Sequence, residues 1–325
     1  MSVLVLAAAP CISIACSSSP RARPVVEPES LASASSSSDV AEVPASASVS
    51  AIASAPPKPP APPYNRAADV KERTAEAREE LGADTPVIMA GDVFLLAGAP
   101  GWRGSSLATS HDLVDGAMTA LFNHRFKTKP AFVIPVYLFG DTASYDAYCQ
   151  KRWSSACLSK YGSYHPDERF AIMNAGLGLG TLTHEMVHPL IEADFPDAPT
   201  WIDEGIASLF EAPLLPRAGE IHGARNWRLP KLTAALRGAD RDKATFDKLF
   251  GMSNRAFRAS DESLHYAMAR YFCQWLDEKG WLWPFYQRWR DNVAKDPTGR
   301  DSFTAVVGKP PAEMVDTWVH WVGVK

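Results

Sequence analysis

The chain predicts an α+β domain in which a small mixed sheet comes first and a mainly helical half follows. Three observations predict it. Short apolar runs with the length of strands occur between residues 87 and 174. Beyond Glu211 the apolar residues return at helical spacing. Between these regions lies His184-Glu185-Met186-Val187-His188, whose two imidazoles stand one helical turn apart.

Residues 67 to 81 are rich in helix formers but heavily charged, so they predict an exposed helix leading into the domain. Val87-Ile88-Met89-Ala90 and Val93-Phe94-Leu95-Leu96-Ala97 flank Gly91-Asp92 and predict a hairpin. Helical spacing then spans residues 107 to 125. The run Phe132 to Phe139 predicts a strand in which Pro135 suggests an edge or a bulge. A further strand is expected over residues 169 to 174, followed by a glycine-rich turn from Ala175 to Gly180. In the second half, helices are expected over residues 261–279, 281–295 and 311–322, with Gly280 separating the first two. The aromatic residues Trp275, Trp281, Trp283, Phe285, Tyr286 and Trp289 have the spacing of a helical core rather than of a sugar-binding platform.

A helix advances 3.6 residues per turn, so His184 and His188 project from one face and can grip a single ion. Glu185, about 100° around, is placed to hold the water that such a metal activates. This is the pattern of a zinc hydrolase. A tetrahedral zinc that keeps one position open needs a third protein ligand. Asp194 stands ten residues after His184, where metzincins place their last ligand, but those proteins break the helix with a glycine where this chain has Ile191. Glu204 is the better candidate. It lies in Trp201-Ile202-Asp203-Glu204-Gly205, after turn material in which Thr200 is expected to cap a new helix. Gly205 is expected to let that helix approach the metal helix closely. Pro189, directly after His188, cannot donate to the helix ladder and predicts a distorted last turn.

Over roughly residues 168 to 279 the chain resembles the gluzincin metallopeptidases, and more narrowly the peptidase MA-like domains of bacterial envelope proteins. The resemblance rests on H-E-x-x-H and on a glutamate in Trp-x-x-Glu-Gly on the next helix. It implies a zincin-like fold, one Zn²⁺ held by His184, His188 and Glu204, and amide hydrolysis with Glu185 as general base. It also implies that the strand just before the metal helix lines the cleft, where an extended peptide can pair with it. Related gluzincins supply an oxyanion donor downstream of the glutamate ligand; here Tyr266 is the first choice and His265 the second. Asp203 and Glu211 are both candidate partners for the histidine ring nitrogens, and the sequence does not choose between them. The expected substrate is a peptide or protein. Two other readings stay open: an amide hydrolase directed at peptidoglycan, and a non-catalytic zincin-like binding lipoprotein.

Residues 17 to 66 are mostly Ser, Ala, Pro, Val and Glu, as in Pro56-Pro57-Lys58-Pro59-Pro60, and predict a disordered tether. Ahead of it, residues 1 to 16 form a short apolar segment that looks like a bacterial lipoprotein signal ending at Cys16. The expectation is an extracytoplasmic protein, anchored by lipid at Cys16 to an outer membrane or surface, with its catalytic domain over residues 67–325. Cys149 and Cys157 are close enough in sequence to pair there, leaving Cys273 as a core residue. A formal charge of −4 and the absence of a long basic run give no reason to expect nucleic acid as a partner.

Overall fold

The computed structural model describes residues 63–102 and 104–323. The signal-like segment and nearly all of the expected tether lie outside the described residues. Helix α1 (Arg66–Leu81) is followed by β1 (Val87–Ala90), β2 (Phe94–Gly98), α2 (Gly104–Leu121), β3 (Ile134–Phe139), α3 (Thr142–Trp153), β4 (Gly162–His165) and β5 (Phe170–Asn174). Then come α4 (Gly180–Asp194), α5 (Thr200–Leu209) and the short ribbon β6 (Pro213–Leu214) and β7 (His222–Gly223). The chain closes with α6 (Leu229–Arg237), α7 (Phe246–Phe250), α8 (Asn254–Phe257), α9 (Glu262–Glu278), α10 (Leu282–Asn292), α11 (Arg300–Val307) and α12 (Pro311–Val322). The architecture is mixed α and β, as the sequence predicts at that level.

One five-stranded sheet, in the order β1-β2-β3-β5-β4, carries the first half. β2, β3 and β5 run parallel, and the outer strands β1 and β4 are antiparallel to their neighbours. The hairpin β1–β2 turns at Gly91 and Asp92, both left-handed (φ 56° and 60°), the pairing that a right-twisted hairpin favours. Side chains alternate along each strand, so the sheet has two apolar faces. Phe94, Leu96, Val136, Leu138, Ala171 and Met173 join Met186 and Leu190 of α4 and the helical half. Tyr137, Phe139, Phe170 and Ile172 face α1 and α3, meeting Ala77, Leu81, Tyr145 and Tyr148. The predicted exposure of α1 is therefore partial: its charged side is solvated, while Ala77 and Leu81 are buried.

Pro135 sits in the middle of the sheet, not at an edge. Ile134 N–H donates to Val93 O at 2.9 Å, so the next residue along the strand would direct its N–H to the other side, towards β5. The β3–β5 pairing begins only at Val136–Ala171. The missing donor thus falls just before the ladder that would have needed it.

The strand expected to line the cleft does not lie at an edge of the sheet. β5, at residues 170–174, is flanked on both sides, and the outer strand next to it is β4, a four-residue element too short and polar to announce itself in sequence. A disulfide joins Cys149 near the end of α3 to Cys157 ahead of β4, and Cys273 is buried and free. No helix among the described residues is long and apolar enough to cross a membrane.

In the helical half, Trp275, Trp289, Phe285 and Tyr286 are fully buried, in line with core packing. α5 packs chiefly on α9. Gly205 serves that contact: a Cβ there would lie 2.9 Å from Cys273 Sγ and 3.0 Å from Ala269 O, so the close approach it allows is to α9 and not to the metal helix. Thr200 is the first residue of α5 rather than its cap. Pro199 holds the cap position, and the Thr200 N–H is taken by Asn254 Oδ1 at 3.0 Å.

On β7, His222 Nδ1 lies 2.8 Å from Asp277 Oδ2 and its Nε2 3.0 Å from Glu220 Oε1. Partial burial would lower its pKa, but these two carboxylates outweigh burial and raise it above the ordinary histidine value. The ion pair therefore stabilises the fold fully below about pH 6.5, the unfolded value, and is lost as pH rises through the higher folded value. An NMR titration of the His222 ring is expected to show a midpoint above 6.5; one at or below it would contradict this geometry.

Candidate metal centre

α4 runs unbroken from Gly180 to Asp194 with Pro189 inside it. The distortion expected at its last turn does not end the helix, and Phe195 closes it with its N–H on Ile191 O. His184 and His188 share one face, their ring centroids 5.0 Å apart. The N-terminus of α4 rests directly on the end of α5. A Cβ on residue 180 would lie 2.1 Å from Glu211 O, so only glycine fits there, and the Thr183 hydroxyl donates to Phe210 O at 2.6 Å. This contact fixes the two helices that carry the site.

Across that joint, Glu204 Oε2 faces both imidazoles, 3.4 Å from His184 Nε2 and 3.9 Å from His188 Nε2. One donor atom from each of the three residues lies within 4.8 Å of the others, and all three side chains are buried. Ligand distances near 2.1 Å in a tetrahedral shell put donor atoms about 3.4 Å apart, so the spacing suits one small ion. Glu185 stands beside the cluster, its Oε2 4.0 Å from His188 Nε2. The same oxygen accepts the Tyr164 N–H of β4 at 2.9 Å.

The outer nitrogens of both histidines have carboxylate partners. His188 Nδ1 lies 2.9 Å from Asp203 Oδ1, and His184 Nδ1 lies 3.4 Å from Glu211 Oε1. The two candidates that the sequence left undivided thus serve one histidine each. The hydrogen bond to Asp203 fixes the His188 tautomer and turns its Nε2 towards the shared centre, and Glu211 stands at ion-pair distance on the corresponding side of His184.

Two arginines complete the site, and neither was singled out in the sequence. Arg228 grips Glu211 with both Nε and Nη2, at 2.9 and 2.6 Å, and Asn226 adds a further bond at 2.9 Å. Arg258 donates through Nη2 to Glu204 Oε1 and through Nη1 to the Tyr266 hydroxyl, each at 2.5 Å. Burial alone would raise the carboxyl pKa values. For Glu211 the Arg228 guanidinium and the His184 contact reverse this and hold it down to about 2. For Glu204 the His188 and His184 rings and Arg258 reverse it, and its pKa lies far below the carboxylate range. Three carboxylates, Glu185, Glu204 and Glu211, are buried at the site beside the two imidazoles, with the Arg228 and Arg258 guanidiniums against Glu211 and Glu204. Buried charge needs compensation, and a divalent cation between the imidazoles would supply the balance.

The remaining expected residues fall elsewhere. Tyr266 is fully buried, its ring near the guanidiniums of Arg228 and Arg258 (4.6 and 5.8 Å to the centroid), and its hydroxyl meets the site through Arg258. His265 turns its Nδ1 to Phe257 O at 2.9 Å, one residue before Arg258. Asp194 is absent from the cluster. It accepts the N–H groups of Lys127 and Thr128 and pairs with Arg290 at 2.7 Å, a structural role that agrees with its rejection as ligand.

The site is therefore a buried His-His-Glu group on two adjoining helices that can hold a metal ion. No protein-family model matches the chain, and no curated protein matches it either.

Proposed function

We propose that the protein is a zinc-dependent amide hydrolase of zincin type, acting on peptide bonds. The observation that carries this reading is the convergence of Glu204 Oε2 on both Nε2 atoms with the Glu185 carboxylate alongside. Imidazoles and a single carboxylate oxygen form a donor set suited to zinc rather than to calcium or magnesium. A bound zinc ion supplies the Lewis acidity that activates water and polarises a carbonyl.

The chain's own residues do the rest. Glu185, steadied by the Tyr164 amide, takes a proton from the attacking water and returns it to the departing amine. Asp203 keeps His188 in its ligating tautomer, and Glu211 stands on the corresponding side of His184. β4, the outer strand beside Glu185, is the strand along which an extended chain would lie. The Cys149–Cys157 disulfide supports action outside a reducing cytoplasm.

Metal analysis of purified protein tests the ligand set. The wild type should hold a single zinc per chain, Glu204→Ala should lose it, and Asp194→Ala should keep it. Asp194→Ala should instead lose about 3 kcal/mol of stability, because Arg290 and two backbone N–H groups lose their buried partner. Zinc lost with Asp194→Ala but kept with Glu204→Ala would assign the third ligand wrongly.

A further inference from the structure

Glu204 has two carboxylate oxygens, and they meet different partners. Oε2 faces His184 and His188; Oε1 is held by Arg258 Nη2. A carboxylate free to rock can offer a metal one oxygen or two, and the choice changes the coordination number. Here the guanidinium occupies one oxygen in a charge-assisted bond.

The position of Arg258 is itself fixed. α8 is capped by Ser253, whose hydroxyl oxygen accepts the Ala256 N–H at 3.2 Å. On the same turn, Asn254 Oδ1 accepts the Thr200 N–H, tying α8 to the first residue of α5. The segment 253–258 therefore meets α5 twice, once at its N-terminus and once at Glu204. The other arm of the Arg258 fork is held by the Tyr266 hydroxyl, and Glu262 Oε1 lies 3.5 Å away. The guanidinium is thus held by Tyr266 and Glu262 through Nη1 as well as by Glu204 through Nη2.

We propose that Arg258 is a positioning residue that confines Glu204 to single-oxygen ligation, so that the site favours a four-coordinate ion. This rests on the metal reading above. Removing Arg258 frees Oε1 to swing inwards as a second donor, which raises the coordination number and loosens the preference for zinc. Because Arg258 does not itself touch the reacting atoms, its effect should appear in the metal before it appears in turnover.

Cobalt(II) is the probe, since its visible absorption is intense when four-coordinate and weak when five- or six-coordinate. The full chain would be stripped of metal, loaded with cobalt and followed by absorption; zinc affinity would be measured by chelator competition. The wild type should give the intense spectrum. Arg258→Gln should give the weak one, with zinc bound about 10–100-fold less tightly. Arg258→Lys keeps a cationic donor towards Oε1 and should recover much of the intensity. Tyr266→Phe removes the other partner of the fork and should leave the intense spectrum in place. Circular dichroism would verify folding; if Arg258→Gln fails to fold, Arg258→Met, which keeps the length of the stem and removes the donors, takes its place, and an intense spectrum there would overturn the assignment. An unchanged spectrum and zinc affinity in Arg258→Gln would overturn it too, while leaving the hydrolase reading standing. A wild type that takes up no cobalt would remove both.

Discussion

Glu185→Gln is expected to retain metal and fold while losing amide hydrolysis by about 10²–10⁴-fold. The substitution is nearly isosteric. The glutamine carbonyl oxygen can still accept the Tyr164 N–H, so the α4–β4 contact survives. What disappears is the capacity to take a proton from water at a position 4.0 Å from His188 Nε2. A peptide library and a digest of whole bacterial cell wall would be offered side by side to wild type and variant. Cleavage confined to wall fragments would move the substrate from protein to peptidoglycan. Hydrolysis unchanged in the variant, with zinc still bound, would remove Glu185 as the base, while a zinc-loaded wild type that cleaves neither substrate would favour a binding protein over an enzyme.

Arg228→Ala is expected to lower the stability of the metal-free protein by about 3–5 kcal/mol, because it leaves the Glu211 carboxylate buried without its main counter-charge. Urea unfolding followed by circular dichroism would measure this. Arg228→Lys should recover only part, since an ammonium cannot reproduce the two-pronged grip on Oε1 and Oε2. The sign of the pH dependence follows from the same pair. The folded pKa of Glu211 is lowered from 4.5 to about 2, so its contribution is complete above the unfolded value and fades as pH falls towards 2. Wild type and Arg228→Ala should therefore converge in stability through that acid window. A constant difference between them from pH 7 to pH 2 would contradict the pairing.

The parts of the site that lie on regular helices were legible in the sequence. His184, Glu185 and His188 are set by one helical turn of α4, and Glu204 lies on α5, while Glu211 follows the end of that helix, just past its cap Phe210. Arg228 and Arg258 were not legible, because they come from irregular segments and reach partners 17 and 54 residues away, where no periodicity operates. β4 was missed for a related reason. Gly162-Ser163-Tyr164-His165 is short and polar, and its strand character comes from pairing with β5. Pro135 and Gly205 were read for the right property and assigned the wrong neighbour. A missing N–H and a missing Cβ are visible in sequence, but the side on which they matter is set by tertiary packing.

The alternation along β4 limits what its rim can offer. Asn174 N–H bonds Tyr161 O, so in antiparallel pairing Ser163 and His165 turn their backbone groups inward to β5, while Gly162 and Tyr164 turn theirs outward. The Tyr164 amide is already committed to Glu185. A polypeptide laid along this rim finds only the Gly162 amide and the two outward carbonyls, worth about 0.5–1.5 kcal/mol apiece. Main-chain docking of that size gives a weak, sequence-blind grip. Under the proposed peptidase reading, discrimination between one cleavage site and another would come from the residues flanking the cut, and short model peptides lacking those residues should make poor reporters.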